Sequence, residues 1–272
     1  MVRKTFGIYS EWLEQCTLFI ETGSDYIACW CKDPAVNTVK AFELFSFTTE
    51  RADDFAALFK EIQLHSRLLT TAFENVYCIW SDEKCVCVPA PYYNDTAAAS
   101  FIELMFGESG VTSLQNNTAR DCVTVFKLPQ QALAVYSNCY AIKESVHKYY
   151  QLIKGQQDDD TLFKMHILFY HSHCIISAYK QGSLQLIQTY PYKVSEDVLY
   201  VVLNIAKEYQ MPVNETAIYA GGLIDTNSPL YKTLHVYLND FVFEPVDAAL
   251  FAAEGFQEHP LHYFAPFCQY DV

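Results

Sequence analysis

Residues 162–190 read LFKMHILFYHSHCIISAYKQGSLQLIQTY. Three apolar runs, Leu162 to Tyr170, Cys174 to Tyr179 and Leu184 to Tyr190, are separated by short polar stretches. Aromatic and β-branched side chains suit a pleated, half-buried surface, and Gln181-Gly182 suits a hairpin turn, so the stretch predicts a three-strand meander. A helix follows, with Ser195 as its cap, Glu196 and Asp197 in its first turn, and a buried stripe of Val198, Val201, Val202, Ile205 and Tyr209. Thr216 to Ala220 reads as a fourth strand, Gly221-Gly222 as a turn, Pro229 to Leu238 as a helix and Phe241 to Phe243 as a closing strand. Pro245 then starts a further helix through Ala248 to Ala253, and an aromatic tail follows from Phe256.

The same order occurs earlier, from Thr17 to Phe126. Strands are predicted at Thr17 to Glu21, Tyr26 to Cys31 and Val39 to Phe47, the first two joined by Thr22-Gly23-Ser24-Asp25, whose residues are turn formers. A helix capped by Thr48 or Thr49 carries Phe55, Leu58, Phe59 and Ile62 at i, i+3, i+4 and i+7. Val76 to Trp80 is the fourth strand and Cys122 to Phe126 the closing one. Between them lie an extra strand at Cys85 to Val88, a helix from Asp95 to Phe106 and a loop from Gly107 to Asn117. Pro129 leads a helix through Gln131 to Tyr136, and Tyr140 to Ile153 reads as one more helix. The polar stretch Gln156 to Asp160 is the expected boundary between a first half, 1–155, and a second, 156–272. The fold class is therefore α/β with mixed sheets, built of two βββαβα halves. Simple strand–helix alternation would instead imply a doubly wound parallel sheet.

Composition bounds the function. Half of the 272 residues are hydrophobic, 18% are charged and the net charge is −14. Such a field repels phosphate backbones, which argues against nucleic acid and for a basic protein partner or plain solubility. No apolar run approaches the roughly 20 residues a membrane span needs. The start, Met1-Val2-Arg3-Lys4, leads into no apolar leader, so a cytoplasmic protein with ten reduced cysteines is expected.

Thr17 to Trp30, Cys87-Val88-Pro89 with Tyr92-Tyr93, and Tyr219-Ala220-Gly221-Gly222-Leu223-Ile224-Asp225 with Leu230-Tyr231 resemble a family of Bacteroidetes proteins without assigned activity, domain of unknown function 3822. The resemblance spans Thr17 to about Pro245 and implies an actin-like ATPase (ribonuclease H-like) fold with a cleft between two related halves. Active members of that superfamily carry an Asp-x-Gly turn in each half and a Gly-Gly after the second half's fourth strand. Here the first turn is Glu21-Thr22-Gly23-Ser24, with Glu in place of Asp. The second is Tyr170-His171-Ser172-His173, lacking both acid and glycine. Gly221-Gly222 matches the third motif, where absent side chains admit an adenosine, or else forms a tight turn with no ligand. The nucleotide candidates are therefore Glu21, Gly23, Ser24, Gly221 and Gly222, with ATP and Mg²⁺ as the cofactors they could take. Without the second carboxylate, ATP hydrolysis is not expected.

Other clusters have plainer readings. His171, His173 and Cys174, with His166 nearby, lack a second cluster at zinc-like spacing, and the histidines read as exposed hairpin residues. Cys29-x-Cys31 and Cys85-x-Cys87 are not Cys-x-x-Cys motifs and read as buried thiols acting as small hydrophobes. Asp225 reads as a helix cap, and Asp158 to Asp160 as a solvated linker. The functional expectation is a non-catalytic binding or scaffold module that needs no cofactor and engages a protein partner. The alternative is a nucleotide-dependent switch binding ATP or ADP in the cleft with weak or no hydrolysis.

Overall fold

A computed structural model describes residues 1–13, 15–107, 113–156, 160–238 and 241–268. The chain forms two compact units. The first comprises Met1–Gly155 with Ala248–Glu258, and the second Gln156–Asp247 with the segment 259–268. Residues 157–159 of the expected boundary, and with them most of the acidic run, lie outside the described residues.

The first unit is built on a six-stranded mixed sheet. Its strands are β1 (Arg3–Tyr9), β2 (Thr17–Gly23), β3 (Tyr26–Asp33), β4 (Thr38–Ser46), β5 (Asn75–Ser81) and, later in the chain, β9 (Ile142–His147), in the order β1-β4-β3-β2-β5-β9. β2, β3 and β4 form an antiparallel meander, and β2, β5 and β9 run parallel. α1 (Phe55–Gln63) buries the four stripe residues Phe55, Leu58, Phe59 and Ile62. Its cap is Asp54, whose carboxylate accepts the Ala57 N–H at 3.1 Å, rather than Thr48 or Thr49. The latter pair opens a 3-10 turn that delays the helix.

Three assignments are corrected here. Cys122–Lys127, expected to close the main sheet, is β8 of a separate three-stranded sheet. β8 pairs there with β6 (Cys85–Pro89) and with β7 (Leu114–Ala119), the latter beginning inside the stretch expected to be loop. β7 reads LQNNTA and keeps much of its surface in water, so it carries no apolar signal. α2 (Ala98–Phe106) covers this sheet through Ala98 and Ile102. The closing strand of the main sheet is β9, inside the stretch expected to be helical. Ile142, Val146, Tyr149 and Ile153 fall at i, i+4, i+7 and i+11, a helical period that spans a strand and the helix after it. The helices of this region are α3 (Gln130–Cys139) and the short α4 (Lys148–Lys154).

In the second unit, β10 (Phe163–Phe169), β11 (His173–Lys180), β12 (Ser183–Pro191), β13 (Ala217–Gly222) and β14 (Phe241–Phe243) form a sheet ordered β12-β11-β10-β13-β14. β10 to β12 are antiparallel, and β13 and β14 continue parallel to β10. Order and senses match β4-β3-β2-β5-β9. α5 (Ser195–Glu208) buries Val198, Val202 and Ile205 against this sheet, beside Leu234 of α6 (Pro229–Tyr237). Asp197, not Ser195, closes the start of α5. Its carboxylate accepts the N–H groups of Lys193 and Val194 at 2.9 and 3.1 Å.

The helix expected from Pro245 through Ala253 is instead a 3-10 turn at Ala248–Leu250, and Ala248–Glu258 belongs to the first unit, not the second. Phe251 bridges Val39 of β4, Ala252 N–H donates to the Val39 carbonyl at 3.0 Å, and Phe256 is fully buried against Phe251. These bonds extend an existing strand, whereas an isolated helix of that length would be marginal.

Candidate functional site

β2 is covered on both faces, and Glu21 lies within it at zero exposure. One carboxylate oxygen accepts Lys148 Nζ at 2.8 Å, the other the Tyr26 hydroxyl at 2.6 Å. Lys148, at the start of α4, is also fully buried and donates to Gln151 Oε1 at 2.9 Å. A buried carboxylate needs such partners because desolvation alone would cost several kcal/mol, roughly, per ion. The Tyr26 ring reaches Glu21 by lying across Gly23, where an added Cβ would be 2.1 Å from Tyr26 Cε1. Gly23 therefore accommodates the chain's own tyrosine, while Ser24 is exposed at the turn.

His147, beside Lys148, is completely buried. Its Nδ1 accepts the Tyr149 N–H at 3.1 Å, so Nε2 carries the proton given to the Asp82 carbonyl at 2.9 Å. Burial pushes its pKa down to about 4, with Lys148 lowering it further and Asp82 and Glu21 opposing. The neutral ring belongs to the fold, so its contribution is whole above about pH 6.5 and is lost as pH falls toward about 4. At about pH 5 the loss should be on the order of 2 kcal/mol. Urea unfolding at neutral pH and at about pH 5 checks this, because the difference should shrink in His147→Gln.

A second buried carboxylate, Glu43 of β4, has no counterpart in the sequence reading. It accepts Lys4 Nζ at 2.9 Å and Arg67 N–H at 2.8 Å, as well as the hydroxyls of Ser66 and Tyr9. Lys4 and Arg67 both approach the Tyr9 ring at 5.2 Å. The cluster pins β1 and the 65–67 segment onto the sheet and leaves no oxygen of Glu43 open for chemistry.

In the second unit, Gly221 and Gly222 are buried. Gly222 has φ +84°, and a Cβ there would lie 2.1 Å from the Phe169 carbonyl oxygen. At Gly221 it would meet Leu168 and Ala265 at 3.1 and 3.3 Å. Both positions are walled by the chain itself. The turn at Tyr170 to His173 is closed likewise. Tyr170 N–H donates to the His173 carbonyl at 2.9 Å, and Tyr192 donates its N–H to Ser172 and its hydroxyl to Tyr170. His173, expected to be exposed, is buried and stacked on Tyr170 at 4.7 Å, whereas His171 is exposed. His166 is bonded to Glu244 at 2.9 Å, and no group of three or more metal-ligating side chains is assembled among the described residues. Asp225 forms a local turn, accepting Asn227 N–H at 2.7 Å, while Ser228 caps α6 through Tyr231 N–H at 3.1 Å.

None of the ten cysteines is in a disulfide. Cys29 and Cys31 are fully buried, Cys85 is buried, and Cys87 is half-buried. Burial pushes the Cys78 and Cys174 thiols up to about 12, so they behave as small apolar groups.

One cavity of about 400 Å³ opens in the first unit beside the β2–β3 turn. Gly23 and Ser24 border it, with Phe55 and Trp80 among its apolar lining and Lys84 and Lys127 among its polar lining. The sequence reading missed Tyr26, His147 and Lys148. The signal available was Lys148 and Gln151, three apart on a helix whose other residues before its last, Lys154, are Tyr, Leu and Ile.

These two sheets, with their shared order, define a protein of the actin-like ATPase fold. The chain belongs to the family described as "Protein of unknown function (DUF3822)", whose model matches residues 9–241. A Bacteroides thetaiotaomicron protein with actin-like ATPase fold and unknown function is similar at a TM-score of 0.73 and 14% identity, over 85% of this chain and 91% of that one. A type IV pilus biogenesis complex, PilM–PilN, is matched at 0.62 and 13%, over 93% and 96%. The cytoplasmic domain of EpsL, an inner membrane component of the Vibrio cholerae type II secretion system, is matched at 0.50 and 9%, over 86% and 91%. At these identities the likeness shows the fold. No curated protein sequence matches the chain. No helix among the described residues is long and apolar enough to cross a membrane.

Proposed function

We propose that this protein is a non-catalytic binding or scaffold module that needs no nucleotide and acts by engaging a protein partner. The observation that carries this reading is the sealing of Glu21. Its two oxygens are held by Lys148 and Tyr26, and its charge is balanced within the core. A Mg²⁺ ion approaching there would compete with a buried ammonium. The walled glycines and the closed second turn support the same reading. So do two fold neighbours, the PilM–PilN complex of two proteins and the cytoplasmic domain of the secretion-system component EpsL. A net charge of −14 suits a basic partner and disfavours nucleic acid. Ten cysteines without disulfides suit a reducing compartment such as the cytoplasm.

The second reading, a nucleotide-dependent switch, draws on the cavity beside Gly23 and Ser24. Thermal unfolding with ATP or ADP, each with and without Mg²⁺, separates the two. The midpoint should stay where it is in every case, and phosphate release should not differ between the wild type and Glu21→Ala. A ligand at about a hundred times its Kd would add about 2.7 kcal/mol, and a shift of that size with ATP and Mg²⁺ would replace the scaffold reading with the switch.

A further inference from the structure

The two sheets share their strand order, but their matching outer edges end differently. In the first unit β1 lies beyond β4 and pairs with it antiparallel along Arg3–Tyr9. In the second unit β12 holds the place of β4, and no strand lies beyond it among the described residues. Burial records the difference. Phe42, Glu43, Leu44 and Phe45 of β4 are at most 4% exposed. Leu184, Leu186 and Tyr190 of β12 stay half-buried, and Gln188 is exposed. β1 contributes alternate apolar side chains to its edge, where Phe6 meets the Phe42 ring at 6.1 Å and Ile8 is buried.

β12 is also unguarded. Natural edge strands are blunted by charges, prolines or bulges, because an open edge is a template for another strand. β1, the outer strand of the first sheet, carries Arg3 and Lys4 and a register break between Lys4 and Phe6. β12 carries no charged residue from Ser183 to Pro191. Its register break falls near its start, between Leu184 and Leu186, and leaves Leu186 to Pro191 regular. Tyr192 N–H donates inward to the Ser172 carbonyl at 3.0 Å. In that register Tyr190 and Gln188 also bond inward, so Ile187 turns its N–H and carbonyl outward. Outward main-chain groups of this kind are what an added strand takes.

We propose that β12 receives an extended segment of a partner protein, running antiparallel to it as β1 runs to β4. The segment is basic and has apolar residues at alternate positions. Those residues lie beside Leu186 and Tyr190 and extend the core cluster that these two join. A net charge of −14 draws in such a segment and repels a second copy of this chain. The inference rests on the reading of the protein as a binding module and names the surface that the binding uses.

Hydrogen exchange of the full chain, read by mass spectrometry, tests this with two peptides. One is VRKTFGIYS, the sequence of residues 2–10, and the other is KTVTVTVK. At about 1 mM, at least one should slow exchange across residues 183–191. N-methylation of one alternate set of amides in KTVTVTVK should weaken binding at least about tenfold, and methylation of the other set should leave it nearly unchanged. ETVTVTVE should bind at least about fivefold more weakly than KTVTVTVK at low salt. Gln188→Lys, at an exposed position, should weaken KTVTVTVK at least about threefold without moving the melting temperature. No slowing across 183–191 with either peptide, or slowing confined to 38–46, would overturn the proposal. So would equal effects of the two methylated sets, tighter binding of the glutamate peptide, or unchanged affinity in Gln188→Lys. A dimer in sedimentation whose contact protects 183–191 would give the edge to a second copy instead. None of these results touches the binding-module reading, which falls to stabilisation by ATP with Mg²⁺.

Discussion

Lys148→Met should lower the free energy of unfolding by about 3–5 kcal/mol, the usual cost of removing one partner from a buried ion pair. The methionine fills much of the same volume, so the loss is electrostatic. Glu21 would keep the Tyr26 hydroxyl and lose its counter-charge at zero exposure. Glu21→Gln added to Lys148→Met should recover most of the loss, because a neutral amide no longer needs an ammonium. Urea unfolding of the wild type, both single variants and the double variant gives the coupling directly. A single variant within about 1 kcal/mol of wild type would mean that water reaches the pair, contrary to its burial. The same set bears on function. If the ammonium is what keeps a cation away from Glu21, Lys148→Met is the variant in which Mg²⁺-dependent stabilisation should first be detectable.

Gly222→Ala should cost about 3 kcal/mol, and its origin is the backbone. At φ +84° an L side chain is strained, which accounts for roughly 1–2 kcal/mol. The added Cβ also meets the Phe169 carbonyl oxygen at 2.1 Å. That oxygen accepts the Leu223 N–H at 2.8 Å and belongs to the strand paired with β13, so it cannot rotate away as a side chain would. Forcing it back adds overpacking of roughly 1–3 kcal/mol. Thermal and urea unfolding should both register the change with no ligand present. Wild-type stability in Gly222→Ala would show that the turn can flip to φ below zero, and would reopen the position as one kept small for a ligand.

Much of the fold could be read in the chain because its signals are local. The β10–β12 meander, the four apolar positions of α1 and the Val198–Val202–Ile205 stripe each follow from side-chain period within a dozen residues. The misread parts lie where local signals compete. Ile142 to Ile153 fits a helical period across a strand-to-helix junction. β7 is polar because it is half in water. Ala248–Glu258 is drawn back to β4 by contacts with residues two hundred positions earlier, roughly, which no local window contains.

The candidate site divides the same way. Sequence alone determined that Glu21, Gly23, Gly221 and Gly222 stand at strand ends, because glycines and turn residues mark the chain's reversals. It also determined that the chain is acidic and folds as mixed α/β. Only the tertiary structure decided what those residues do. Glu21 is paired with a lysine 127 residues away, Gly23 yields to Tyr26, and Gly222 yields to a carbonyl of the neighbouring strand. A carboxylate's identity is written in one position, but its charge state, its partners and the space before it belong to every segment packed around it, and those meet only in the folded molecule.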